Sequence, residues 1–211
     1  MLSEELLTDE EAWAVLQKIN TFFPNVKSPL HWDSLFHLLC AVLLSAQTTD
    51  KRVNEVMVKF GQDFPDAKTL AAASIPEIEA DIRSLGLYHN KAKHLQALAQ
   101  KLLADYDGQV PKDKKALMSL PGVGEKTANV VLAEGFGVPA IAVDTHVARI
   151  AKKFKIVPAK ASPHQVEKRL EQIVPKDLWI QTHRAMILFG RQIMPARAKD
   201  PNPYHYLNQR K

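Results

Sequence analysis

The segment Leu120-Pro-Gly-Val-Gly-Glu-Lys-Thr-Ala128 decides how the chain folds. Pro121 to Gly124 predicts a tight turn, because glycine reaches the required backbone angles at low cost. From Glu125 onward apolar residues recur at helical spacing, so the turn opens onto the N-terminus of a helix. The N–H groups of such a turn, together with those of the first helical turn, form an electropositive cup that suits a phosphate oxygen.

Two charged residues follow this turn at a suggestive spacing. Lys126 lies in the first turn of the predicted helix, where a cation opposes the helix macrodipole at a local cost. Asp144 follows 18 residues later, within Ile141-Ala-Val-Asp-Thr-His146, and precedes an apolar helical pattern. Its position predicts a helix N-cap. Taken alone, Lys126 is typical of an exposed lysine on a helix, and Asp144 is typical of a simple helix cap.

The rest of the chain predicts helices only. Thr8 with Glu11, and Ser74 with Glu77, form capping boxes ahead of amphipathic patterns. No strand alternation and no internal repeat is apparent. The predicted helices begin near Thr8, Asp33, Thr49, Asp66, Ser74, Asn90, Pro111, Glu125, Thr145, Ser162 and Leu178.

Glycines are expected to end several of these helices. Gly61 is predicted to stop the third helix, and Gly86 to supply a left-handed residue after the fifth. Gly135 and Gly137 are predicted to end the helix that begins at Glu125. The helix before the Gly-Val-Gly turn is predicted to span 111–120.

Composition sets broad bounds on function. The chain has 211 residues, is 46% hydrophobic and carries a net charge of +5, which permits an anionic partner without requiring one. Cys40 is the only cysteine and lies in an apolar run, so we expect a buried structural thiol and no disulfide or thiolate cluster. No signal core or membrane-length apolar stretch is apparent. We therefore expect a cytoplasmic protein, which would be associated with the nucleoid if the source is bacterial.

Four motifs occur in an order that resembles the helix-hairpin-helix (HhH-GPD) DNA glycosylases, and the endonuclease III branch most closely. They are Leu43-Leu-Ser-Ala-Gln47, Gly86-Leu-Tyr88, the Gly-Val-Gly hairpin with Lys126, and the Asp144 motif. The hairpin alone is also used by ligases, polymerases and structural DNA-binding modules. The resemblance implies an all-α fold with two helical lobes, 28–138 and 1–27 with 139–211, and a DNA-binding cleft between them.

The same resemblance implies a base-excision repair enzyme, active as a monomer on damaged double-stranded DNA. A bifunctional DNA N-glycosylase would remove oxidised pyrimidines and cleave abasic sites by β-elimination. Lys126 would attack the sugar C1′ and form a Schiff base, and Asp144 would stabilise the developing positive charge. Two alternatives remain open: a mispair-specific thymine or uracil glycosylase of the same fold, and a non-catalytic helix-hairpin-helix module.

The resemblance also assigns residues that contact DNA. Gln47 would fill the gap left by an extruded base and Leu87 would act as a wedge, although the residues alone favour a polar loop position and a core contact. Tyr88 and His146 are possible pocket residues. The amides of Gly122 and Gly124 would hold a phosphate, with Val123 at the hairpin tip. The backbone carbonyls of Met118, Leu120 and Val123 would ligate Na⁺ or K⁺.

The chain departs from the family near its C-terminus. Most endonuclease III relatives hold a [4Fe–4S] cluster in a four-cysteine loop, whereas 192–206 has no cysteine. We therefore expect no cluster and no required cofactor. Packing is expected to hold this region instead, by Met194, Tyr204, Tyr206 and Leu207. Four cations there could meet phosphates or form a solvated tail: Arg197, Lys199, Arg210 and Lys211.

Overall fold

The structure is a computed structural model that describes residues 5–208, and within that range every regular element is a helix. The all-α prediction is therefore confirmed. No helix in this part of the chain is both long and apolar enough to cross a membrane. The α-helices are α1 Asp9–Phe22, α2 Leu35–Leu44, α3 Asp50–Asp63, α4 Ala67–Ala72, α5 Ile75–Ile82, α6 Tyr88–Tyr106, α7 Lys114–Met118, α8 Glu125–Phe136, α9 Thr145–Lys153, α10 Pro163–Ile173, α11 Trp179–Leu188 and α12 Pro203–Tyr206.

Contacts between Cα atoms divide the chain into two compact units. One is Ser28–Val138, which contains α2 to α8. The other joins Met1–Lys27 to Pro139–Lys211, of which the structure describes 5–27 and 139–208. The first unit will be called the hairpin unit and the second the terminal unit.

Helix α2 forms the centre of the hairpin unit. Every residue of α2 after Leu35 is buried, in agreement with its apolar pattern around the whole circumference. It packs against α3, α6 and α8, while α4 and α5 pack against α6. Helix α2 therefore contributes to the apolar interior of the hairpin unit, and α6 contacts α2, α4 and α5.

The terminal unit is built around α1, which packs against α10 and α11. Phe189 is fully buried and contacts Phe22 edge to face at 5.5 Å between ring centroids. It begins a π-helical turn, Phe189–Ile193, that continues α11. Met194, Tyr206 and Leu207 are buried as the sequence predicts. Tyr204 is largely exposed, yet one ring edge contacts Phe154.

The predicted helix caps are observed. Thr8 with Glu11 and Ser74 with Glu77 form complete capping boxes, and Thr49 caps α3. In each case a side-chain oxygen accepts a backbone N–H that has no partner inside the helix. Local sequence therefore fixes where these helices begin.

Two predictions about helix-ending glycines are wrong. Gly61 lies inside α3, where a Cβ atom would come within 3.3 Å of the His37 ring. Gly135 lies inside α8, where a Cβ atom would lie 2.6 Å from a methyl carbon of Leu35 and 2.8 Å from one of Leu38. Both glycines serve close packing against α2. Gly137 does end α8, with a left-handed φ of 62°.

Other helix boundaries also differ from the prediction. The left-handed residue before α6 is Leu87, not Gly86, and α6 begins at Tyr88 instead of Asn90. Helix α7 is shorter than 111–120, because the Asp113 side chain caps it by accepting the Ala116 N–H at 2.8 Å. Helix α7 ends before Leu120, because Pro121 disfavours a helical conformation of the residue that precedes it.

The capping carboxylates should make the fold sensitive to acid. Hydrogen bonds from Thr69 lower the pKa of Asp66 below 3.8, and those from Ser74 lower the pKa of Glu77 below 4.5. For both residues the pKa in the folded state lies below the pKa in the unfolded state. Their contribution to the free energy of unfolding is therefore fully present when the pH is above the unfolded-state pKa, and it is lost as the pH falls through the folded-state pKa. We expect urea midpoints to fall between about pH 5 and about pH 3. An Asp66→Asn/Glu77→Gln variant keeps capping groups without titrating, so its midpoint should fall less; an equal fall would contradict this account.

Candidate active site

The turn at the centre of the hairpin has a geometry that only glycine satisfies. The Val123 N–H donates to the Leu120 carbonyl at 3.1 Å, Pro121 occupies the second position and Gly122 has φ of 78°. Proline followed by a residue with positive φ is the signature of a type II turn. A Cβ atom on Gly122 would also lie 3.0 Å from a Leu43 methyl carbon and 3.1 Å from the His94 Cβ. The turn is therefore packed against both α2 and α6.

Helix α8 begins immediately after this turn with an open N-terminus. Gly124 is the N-cap, and its carbonyl accepts the Ala128 N–H at 3.0 Å. Glycine has no side chain to bond the N–H groups of the first turn, so these groups can bind an anion. An ion pair of 2.9 Å between Lys114 and Glu125 ties α7 to the start of α8.

Lys126 occupies the first turn of α8 and is exposed. Ala128, Val131 and Leu132 are buried, so α8 presents its apolar residues to the core. Within the described hairpin unit the Lys126 ammonium forms no ion pair with a carboxylate. The amine is therefore available to a ligand that approaches the hairpin.

Asp144 is the N-cap of α9 in the terminal unit, as predicted. One carboxylate oxygen accepts the N–H groups of His146 and Val147, each at 2.8 Å. These two bonds fix the orientation of the half-buried carboxylate while its second oxygen remains for other interactions. Capping and a chemical role are compatible in this geometry.

Arg149 extends the polar environment of Asp144. Its guanidinium donates to the carbonyls of Gly190 at 2.7 Å and Met194 at 3.0 Å. Burial lowers the pKa of Arg149, and the Asp144 carboxylate opposes that shift. His146 is half-buried, and one guanidinium nitrogen of Arg149 lies 3.2 Å from its Nδ1. This contact holds the imidazole in place.

Gln47 and Leu87 both have left-handed backbones, with φ of 54° and 59°. Gln47 lies in a turn in which the Thr48 N–H donates to the Ser45 carbonyl at 3.1 Å, and its side chain is exposed. Leu87 is 55% exposed, which excludes the core contact that its residue type alone favours. Left-handed non-glycine residues cost about 1–2 kcal/mol each, so surrounding contacts must hold them.

The remaining predicted residues have mixed surroundings. Tyr88 is half-buried, and its ring lies 4.0 Å from that of His89. The Val123 side chain is buried, so only its backbone can contact a ligand at the hairpin. Met118 is exposed. Arg197 and Lys199 are also exposed, whereas Arg210 and Lys211 lie outside the described residues.

Sequence reasoning missed one residue that connects these elements. Lys91 is only 4% exposed, and its ammonium donates to the Thr48 hydroxyl at 2.8 Å. The signal was present, because Lys91 falls on the same face of α6 as the buried Leu95, Leu98 and Leu102. A lysine on the apolar face of a helix calls for a buried partner.

Comparison with known proteins agrees with this architecture. Residues 40–176 match the family model described as the HhH-GPD superfamily base excision DNA repair protein. Endonuclease III of Bacillus subtilis (strain 168) is 47% identical over 176 residues, which is 83% of this chain and 80% of that protein. The chain belongs to the endonuclease III family. The matched range 40–176 contains the Gly-Val-Gly hairpin and Lys126.

Two solved structures extend the comparison. A trapped covalent intermediate of endonuclease III with DNA has a TM-score of 0.90 and 44% identity, with 92% of each chain covered. A thermostable thymine-DNA glycosylase has a TM-score of 0.78 and 24% identity, covering 89% of this chain and 90% of that one. The second likeness shows the fold alone, whereas the first reinforces membership of the endonuclease III family.

The hairpin glycines of this endonuclease III relative should respond differently to alanine. Gly122→Ala places a Cβ in a left-handed residue that already touches Leu43 and His94, so we expect a loss of about 1–3 kcal/mol in the free energy of unfolding. Gly124→Ala is the matched control, since a Cβ there meets nothing within 4 Å and φ is −91°. Chemical denaturation of both variants measures the difference. Equal stability of the two would contradict the turn assignment.

Proposed function

We propose that the chain is a bifunctional DNA glycosylase and abasic-site lyase of base excision repair, which removes oxidised pyrimidines from duplex DNA. The observation that carries this proposal is the exposed Lys126 in the first turn of the hairpin helix, in a chain 44% identical to a protein trapped covalently on DNA. The oxidised-pyrimidine preference rests on the resemblance of the four motifs. We propose that the active form is a monomer.

The proposed reaction begins with the neutral amine of Lys126. Its lone pair forms a bond to C1′ of the damaged nucleotide while the N-glycosidic bond breaks. The base leaves with the electron pair of the glycosidic bond and takes up a proton that the Lys126 nitrogen loses. Ring opening gives an imine between Lys126 and C1′. Loss of a 2′ proton then breaks the C3′–O3′ bond, and water hydrolyses the imine to free the enzyme. A lysine is needed because only an amine forms this intermediate.

Asp144 is proposed to stabilise the positive charge that develops on the sugar. Its orientation is fixed in advance by the His146 and Val147 N–H groups, so no reorganisation is needed when the charge appears. The second carboxylate oxygen is the one that would face the sugar. His146 and Tyr88 are each proposed to contact the damaged base.

A base within duplex DNA must leave the stack before Lys126 can reach C1′. Leu87 is proposed as the wedge and Gln47 as the group that fills the vacated space. Their exposed side chains and left-handed backbones support these roles. The N–H groups of Gly122, Gly124 and the first turn of α8 are proposed to bind a phosphate beside the lesion.

A monovalent cation is proposed to assist that phosphate contact. The carbonyls of Met118, Leu120 and Val123 would hold Na⁺ or K⁺, since both ions accept backbone carbonyls as ligands. The Leu120 carbonyl already accepts the Val123 N–H and keeps a second lone pair. The cation would supply a positive charge between the hairpin and a phosphate oxygen.

An iron–sulfur cluster does not fit the residues of this chain. A [4Fe–4S] cluster takes four thiolates, and the single cysteine, Cys40, is fully buried in α2. Burial raises the pKa of its thiol well above the ordinary value. We propose that the enzyme requires no cofactor for catalysis, and that Arg149 instead connects α9 to the Gly190 and Met194 carbonyls.

Borohydride trapping on abasic-site DNA tests the nucleophile. Wild-type protein should become covalently attached and Lys126→Ala should not, because no other amine is placed in the first turn of α8. Lys115→Ala is the matched control, since Lys115 is an exposed lysine of the same hairpin. Trapping of Lys126→Ala at the wild-type rate would refute the assignment. Absence of trapping by wild-type protein would favour the non-catalytic DNA-binding alternative.

Substitutions of Asp144 should separate its charge from its cap. Asn caps helices as well as Asp does, so Asp144→Asn should keep the melting temperature while base release slows by about 10²-fold. Asp144→Ala should slow the reaction similarly and also lose about 1 kcal/mol of stability. Single-turnover kinetics and thermal unfolding measure the two effects. A fully active Asp144→Asn would limit the residue to capping.

A panel of duplexes that carry single lesions would settle the substrate. Release of oxidised pyrimidines ahead of mispaired thymine or uracil is the expected result. The reverse order would favour the mispair-specific alternative.

A further inference from the structure

Lys91 makes one connection that the proposed reaction leaves unexplained. It lies in the first turn of α6, where its own N–H donates to the Leu87 carbonyl at 3.0 Å. Its ammonium donates to the Thr48 hydroxyl, and that hydroxyl donates to the Ala46 carbonyl at 3.3 Å. One residue therefore bonds to the segment that presents Leu87 and to the turn that presents Gln47.

The burial of Lys91 makes this connection costly to keep. Lys91 is only 4% exposed, and burial lowers the pKa of its ammonium. Within the described hairpin unit the ammonium has a single acceptor, the Thr48 hydroxyl. A buried cation without a carboxylate partner is unfavourable, so an apolar residue on this face of α6 would serve stability at least as well.

The two segments that Lys91 joins both contain strained residues. Gln47 and Leu87 are left-handed without being glycine, and such conformations persist when surrounding contacts over-determine them. The Thr48 hydroxyl and N–H bonds close the turn around Gln47. The same hydroxyl accepts a hydrogen bond from the Lys91 ammonium, which connects the Gln47 turn to α6.

From these contacts we propose that Lys91 is a positioning residue that sets Gln47 and Leu87 at the spacing needed to enter a DNA base stack. The inference rests on the proposed function, because it assigns Lys91 a role in extruding the damaged base. Lys91 acts through Thr48 on the Gln47 turn and through the helix N-terminus on Leu87.

Four variants test this role. Lys91→Met keeps the length and apolar stem of the side chain and removes its donors, while Thr48→Val removes the acceptor. Each should slow single-turnover base release from a lesion-containing duplex by about tenfold, and the double variant should be no slower than either alone. Lys101→Met is the control, because Lys101 is a more exposed lysine of the same helix that pairs with Asp105.

Two further measurements distinguish positioning from general damage to the fold. Borohydride trapping on a preformed abasic site should fall less than about threefold, because no base has to be extruded there. In a Gln47→Ala/Leu87→Ala background, Lys91→Met should cause no further slowing of base release, since the groups it positions are gone. A structural lesion would slow all of these reactions together.

The outcomes are separable. Base release at the wild-type rate by both Lys91→Met and Thr48→Val would overturn the inference. Additive slowing in the double variant would also overturn it. The same holds if Lys91→Met slows base release undiminished in the Gln47→Ala/Leu87→Ala background. If Lys91→Met fails to fold, Thr48→Val decides, because it changes only one hydroxyl. Failure of the proposed function is a different result: wild-type protein would then show neither base release nor trapping.

Discussion

The close packing of Gly122 is the constraint on which the hairpin unit depends. Its left-handed backbone turns the chain between α7 and α8, and its missing side chain lets the turn contact Leu43 of α2 and His94 of α6. The Gln47 turn follows α2, and Leu87 precedes α6. The hairpin, the Gln47 turn and Leu87 are therefore all attached to α2 or α6, so movement of either helix would disturb them.

Much of this arrangement could be predicted from sequence because it is local. A capping box needs two residues three positions apart, and an apolar stripe needs only helical periodicity, so Thr8, Ser74 and Asp144 were placed correctly. Proline followed by glycine at 121–122 likewise specified its own turn. The motif order then indicated the family, which the comparisons confirm.

The errors concern features that depend on distant residues. Gly61 and Gly135 were predicted to end helices, yet both lie inside a helix, where the missing side chain permits close packing against α2. The left-handed residue before α6 is Leu87, which has no glycine signature at all. Lys91 was overlooked because its partner lies 43 positions away, on a different segment. Tertiary contacts decided these cases. For Lys91, periodicity places the residue on the apolar face of α6 but does not identify its partner.

The single cysteine has a consequence for the conditions in which this protein works. Oxidative stress both damages DNA bases and attacks thiolates, so a repair protein meets oxidants when it is most needed. Cys40 is enclosed in α2 and stays protonated, which leaves peroxide no accessible thiolate to oxidise. In the described core of the terminal unit, hydrocarbon and aromatic side chains pack with the thioethers of Met186 and Met194, so oxidation there would act on thioether sulfur and not on a thiolate.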